Sequence, residues 1–104
     1  MMYIVIFVTA GNIGEARKIS AKLIEKKLAA CVNIIDPVES VFWWQGKVDK
    51  AKEALLVIKS KKQKFLKIVK LVKSLHSYEV PEIIALPIVA GEKFYLKWID
   101  ECVK

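Results

Sequence analysis

One histidine, one arginine, two cysteines and four glycines in 104 residues leave little with which to build the common catalytic or metal centres. Cys31 and Cys102 stand 71 positions apart with no close-spaced partner, so neither a disulfide framework nor a zinc motif is available from sequence-local ligands. His76, as the only histidine, excludes a His-x-x-x-His metal pair, and no nucleophile lies beside it in sequence. There is no Gly-rich phosphate loop and no Gly-x-Ser-x-Gly elbow. Catalysis is therefore not expected. No apolar run approaches the roughly 20 residues of a membrane-spanning helix, and a membrane is not expected among the partners. The N-terminal segment Met1 to Val8 carries no basic leader ahead of its apolar residues, which places the chain in the cytoplasm, where both thiols stay reduced.

What is present is apolar and cationic. Hydrophobic residues make up 55% of the chain and charged ones 28%, enough for a folded core and too apolar for disorder. A single domain over 1–104 buries about two thirds of the surface of its unfolded form. The net charge of +7 rests on 18 basic residues, all lysine except Arg17. Lysine is a solvated point charge without the planar fork that guanidinium offers to bases and phosphates, so the excess alone chooses no partner. Lys61, Lys62, Lys64, Lys67, Lys70 and Lys73 fall in one expected helix, as its solvated face or, alternatively, as a footprint for an anion or nucleic acid.

Hydrophobic periodicity supplies the element order. Residues 3–9 read as a central strand buried on both faces, being continuously apolar. Asn12 with Glu15 three positions on is a capping-box variant, and the apolar spacing that follows predicts a helix over 13–28. Ala29 to Gln45, interrupted by Asp36-Pro37, reads as two strands or one long bent strand, and a polar turn around 47–52 leads into a strand at 53–59. Ser60 is expected to open a second helix carrying Phe65, Ile68, Val69, Val72 and Leu75 inward. A strand over 83–89, placed at an edge by Pro87, and a helix over 94–103 complete the chain. The order β-α-β-β-α-β plus a terminal helix is the ferredoxin-like pattern of the α+β class, an antiparallel sheet with helices on one face. Cys31 and Cys102 read as core thiols. Such a sheet leaves its other face and the aromatic edge Phe42, Trp43 and Trp44 to be covered, and further copies of the chain would cover them.

Two segments stand apart from generic core: Ser40-Val41-Phe42-Trp43-Trp44-Gln45-Gly46-Lys47 and His76-Ser77-Tyr78-Glu79-Val80-Pro81-Glu82-Ile83. With Ala29-Ala30-Cys31-Val32-Asn33-Ile34, Lys59-Ser60 and Tyr95-Leu96-Lys97-Trp98, they occur in the order and spacing of the CutA family, which the chain resembles over nearly its whole length. The resemblance implies a ferredoxin-like homotrimer joined at its sheet edges, similar in assembly to the PII signalling proteins, and a link to divalent-cation tolerance, copper included. It implies that Trp44, Gly46, Lys47, Lys59, His76, Tyr78, Pro81 and Glu82 lie near clefts between subunits as ligand or assembly contacts. Ser77 departs from the family's usual proline, and Val8 and Leu75 stand where some members carry a cysteine and a second histidine. Of the ligands proposed for copper, His76 alone is left, so the expectation is no required cofactor and at best a weakly bound copper or zinc ion.

An RNA-recognition module shares the element order and is the alternative from another class. Ile6 to Gly11 loosely echoes its first-strand signature, but Ala54-Leu55-Leu56-Val57-Ile58 offers no aromatic for base stacking, which makes nucleic acid an unlikely partner. A trimer whose role is purely structural is the other alternative.

Overall fold

A computed structural model describes residues 2–104. The elements are β1 (Tyr3–Ala10), α1 (Ile13–Glu25), β2 (Cys31–Trp44), β3 (Lys47–Lys61), a 3-10 turn (Lys62–Lys64), α2 (Phe65–Leu75), β4 (Ile83–Pro87) and α3 (Lys93–Cys102). They form one four-stranded sheet in the order β2-β3-β1-β4, with every neighbouring pair antiparallel. This is the ferredoxin-like α+β arrangement.

The core lies between the sheet and α1 with α2. Ile4, Ile6, Val8 and Ala10 of β1 meet Ala54, Leu56 and Ile58 of β3 on the face covered by Ala16, Ile19, Leu23, Ile68 and Val72. β1 is central as expected, but only alternate residues are buried: Tyr3, Val5, Phe7 and Thr9 point to a face that α1 and α2 do not cover. The uninterrupted apolar run thus reports two apolar faces, one of them covered by α1 and α2. Residues directly opposite each other share a face. The register pairs Val5 with Leu86, Phe7 with Ile84 and Val57, and Leu55 with Ile35, so the second face is also apolar over all four strands.

Several boundaries differ from the sequence reading for local reasons. α1 stops at Glu25 because Lys27 takes a left-handed conformation (φ 57°), with Lys27 N–H donating to Ile24 O and Leu28 N–H to Leu23 O, a Schellman stop built without glycine. β2 is one long strand with a register break between Ile35 and Val38 at Asp36-Pro37. The hairpin turn lies at Gln45-Gly46, both at positive φ (50° and 77°), and not at 47–52, whose residues pair in β3. Ser60 lies within β3 and opens no helix; it is fully buried and its hydroxyl donates to Leu28 O at 2.5 Å. The lysines expected on one helix are divided: Lys67, Lys70 and Lys73 lie on α2, Lys62 and Lys64 on the 3-10 turn, and Lys61 at the end of β3 is buried against Asp100 of α3 at 3.0 Å. β4 ends at Pro87 and is an edge strand, as the proline requires.

β1 ends opposite Ala54, so residues 38–44 and 47–53 run on beyond the sheet as a two-stranded arm of roughly 20 Å. This arm stretches the molecule to 44 × 26 × 22 Å. Trp43 is 75% exposed, Trp44 60%, Val41 and Val48 64% each, and the arm contributes none of them to the chain's own core.

Candidate functional site

At the end of the sheet where the arm departs, the C-terminus of β1, the N-terminus of α1 and the loop after α2 meet around Glu15. Asn12 caps α1 by accepting from Glu15 N–H at 2.8 Å. The Glu15 side chain reaches back past the cap, one Oε accepting from Gly11 N–H at 2.8 Å and the other from Ser77 N–H. One carboxylate therefore ties the β1-α1 turn to residues 76–78. Burial alone would raise its pKa, but the donors on Gly11 and Ser77 outweigh burial and hold the carboxyl below its usual range.

His76 is half-buried in the same cluster. Its Nε2 lies 2.6 Å from Thr9 O and its Nδ1 accepts from Tyr78 N–H at 3.0 Å. A carbonyl can only accept and an amide only donate, so these partners select the neutral ring protonated at Nε2. The Tyr78 ring packs on the imidazole with centroids 4.8 Å apart, and its hydroxyl donates to Glu53 at 2.8 Å. Glu53 is buried in β3, and Tyr78 is pushed up to about 12 by burial, by the bond to Glu53 and by the charges of Glu53 and Glu15.

Of the expected site residues, the fold brings His76 and Tyr78 into this cluster, with half-buried Pro81 and exposed Glu82 leading from it into β4. Trp44, Gly46 and Lys47 lie at the arm's tip, about 20 Å along β3 from Glu53. Lys59 lies about as far in the opposite direction, opposite Cys31 and Val5, where its ammonium meets the Asn33 side chain. Within one chain these residues form three separate groups. Cys31 and Cys102 are free and half-buried, short of the core position expected of them; Cys31 neighbours Tyr95, whose pKa is raised by burial and by that thiol.

Sequence reasoning passed over Glu15 and Glu53. Glu15 read as a helix cap, although its reach to Ser77 is tertiary. Glu53 opened an otherwise apolar strand run, and a carboxylate in that setting was the available signal. An apolar groove of about 470 Å³ lies elsewhere, between β4 and the start of α2, lined by Met2, Ile4, Phe65, Leu66, Leu86 and Pro87 among others. It holds none of the expected site residues.

The fit of a divalent cation can be tested on the donor set. Among the described residues no three His, Cys, Asp or Glu side chains converge on one point. His76 has both ring nitrogens engaged, so a cation bound there would displace either Tyr78 N–H or the Thr9 carbonyl. Among the described residues no helix is long and apolar enough to cross a membrane.

The divalent-cation tolerance protein CutA of Archaeoglobus fulgidus is 47% identical over 103 residues, covering 99% of this chain and all of that one. Its solved structure, described as a periplasmic divalent cation tolerance protein, superimposes with a TM-score of 0.96. The divalent cation tolerance protein of Thermus thermophilus gives a TM-score of 0.97 at 43% identity, covering 99% of this chain and all of that one. A chloroplastic CutA 1 of rice is 45% identical over 97% of this chain, which spans 57% of the rice protein. The family model described as CutA1 divalent ion tolerance protein matches residues 4–102, and the chain belongs to that family.

Proposed function

We propose that this protein serves divalent-cation tolerance as a cytoplasmic homotrimer that binds and regulates without catalysis, its ligand clefts lying between subunits. The observation that carries this reading is the overhanging arm. Residues 38–53 expose Val41, Phe42, Trp43, Trp44 and Val48 on a two-stranded ribbon, a form marginally stable in water by itself. The sheet also ends in two open edges, β2 and β4, with an apolar groove along β4. Joining of sheets at these edges covers the aromatics. It also sets the arm of one copy, with Trp44, Gly46 and Lys47, beside the loop of another, with His76, Tyr78, Pro81 and Glu82. Residues separated within one chain then form one cleft, which Lys59 borders from the next sheet.

The ligand of that cleft is a small molecule or a divalent cation, copper or zinc, held weakly through His76 with Lys47 and Tyr78 alongside. Binding displaces a hydrogen bond of His76 and so alters the 76–82 loop, which faces a partner. RNA recognition on the sheet is the weaker reading. The open face offers Phe7 and Tyr3 from β1 but only Leu55, Val57 and Lys59 from β3, an aliphatic surface suited to packing and not to base stacking.

Light scattering coupled to size-exclusion chromatography tests the assembly. The expected mass is about 35 kDa, three times the 11.8 kDa chain, persisting on dilution as for an obligate interface. A monomer at high concentration would dismantle the shared cleft. Calorimetry with copper, zinc and small anions, with His76→Ala as the control, then tests the ligand, and heat that survives the substitution assigns binding elsewhere.

A further inference from the structure

The chain's positive charge is confined to one layer. Residues 13–27 carry Arg17, Lys18, Lys22, Lys26 and Lys27 against Glu15 and Glu25; residues 62–75 carry five lysines and no acid. Ten of the 18 basic and two of the 11 acidic side chains lie here, a surplus of eight, while the remainder, eight basic and nine acidic, has a deficit of one. Glu15 is turned into the loop cluster, and Lys22 with Glu25 forms the layer's one ion pair among the described residues. The surface therefore has more unpaired cation than the formal balance indicates. It lies on the side of the sheet opposite the apolar open face, so burying that face in an assembly leaves the layer accessible.

We propose, against the expectation of no membrane partner that rested on the absence of a spanning segment, that the α1-α2 layer is a docking surface for an anionic lipid bilayer, met at its headgroups. Lysines without guanidinium forks or stacking rings suit mobile phosphates that need no fixed geometry. From the 3-10 turn into α2 the exposed stripe runs Lys62, Leu66, Lys70, Lys73 at helical spacing, and Leu66, at the rim of the groove beside β4, is 80% exposed. Ile24 on α1 is 44% exposed. Aliphatic side chains among lysines gain at the boundary between headgroups and acyl chains and gain nothing on a phosphodiester backbone. Exposed aromatics, which a single strand would stack upon, are missing from the layer's described residues.

The test is co-sedimentation of the full chain with vesicles of phosphatidylcholine, alone or mixed with phosphatidylglycerol, at low and raised salt, with duplex DNA assayed in parallel. Binding to the mixed vesicles alone is expected, weakening as salt rises. Lys67→Gln with Lys70→Gln and Lys73→Gln should lower partitioning roughly a hundredfold, at about fivefold for each lysine. The same charge removed elsewhere, by Lys50→Gln with Lys52→Gln and Lys97→Gln, should change it little. Leu66→Ser should lower it severalfold. No sedimentation, equal loss in both triple variants, or retention of DNA but not vesicles would each overturn the proposal. Circular dichroism and the solution mass of each variant separate loss of the surface from loss of the fold.

Discussion

Glu15 shows how one side chain sets the behaviour of a whole corner of the molecule. Its carboxylate pKa is depressed in the fold, so its contribution to stability is present above the ordinary value of 4.5 and is lost as pH falls through the lower folded value. Urea unfolding below about pH 4.5 should therefore weaken the native chain more steeply than Glu15→Gln, which should already be less stable at neutral pH. Tyr78 acts at the other extreme. Its pKa is raised, so its contribution is complete below 10.0 and disappears as pH rises to about 12. Phenolate absorbance should show a component titrating at about 12 that Tyr78→Phe removes, together with the loss of stability across that window, while Tyr95, also raised, still titrates late. Ser20 is the opposite case, a buried hydroxyl with no hydrogen-bond partner among the described residues. Ser20→Ala should leave thermal stability unchanged or raise it by up to about 1 kcal/mol. His76 and Tyr78 were legible in the sequence because a lone histidine beside a tyrosine and a proline is uncommon in core. The carboxylates that fix them were not, because Glu15 and Glu53 lie far from residue 76 in sequence and only tertiary folding joins them.

Among the elements, α1 and the hairpin depend on residues in left-handed conformations. Lys27 takes φ 57° where glycine is the usual stop, and Lys27→Gly should raise stability by about 0.5–1 kcal/mol in urea unfolding. Gly46 has open space around it, yet its φ of 77° disfavours any side chain. Gly46→Ala should cost about 1 kcal/mol, seen as a lower unfolding midpoint. These positions also explain which boundaries could be read from sequence. Apolar spacing found α1 and α2, since each buries one stripe against the sheet, and found α3, although Ile99 is the one residue within that helix that is buried. The hairpin turn was displaced because Gln45-Gly46 lacks the usual Asn-Gly signal, while the charged run after it resembles a loop. That run is a strand with no core of its own to face, so hydrophobic alternation has nothing to report. Ser60 misled for a related reason: a serine before a helix usually caps it, but here the hydroxyl is committed to Leu28 O inside the sheet layer.

At the scale of the whole molecule, the fold class could be read from element order alone, whereas the candidate site could be read only in fragments. Three groups of motif residues about 20 Å apart belong together only if several copies assemble, and no periodicity within one chain encodes that. The thermal midpoint should rise with protein concentration if folded subunits and their assembly are linked. Trp43→Asp should lower the midpoint by several degrees and shift the solution mass toward the 11.8 kDa chain. The arm has a consequence for the life of the protein as well. Because residues 38–53 lend nothing to the core of their own chain, a newly made copy without partners offers them to any protease while its core stays intact. Limited digestion at low concentration should nick the chain between Val38 and Glu53 first, and assembled copies should resist. Survival of each molecule would then depend on how many others are present, and cleavage in the arm would remove the surplus.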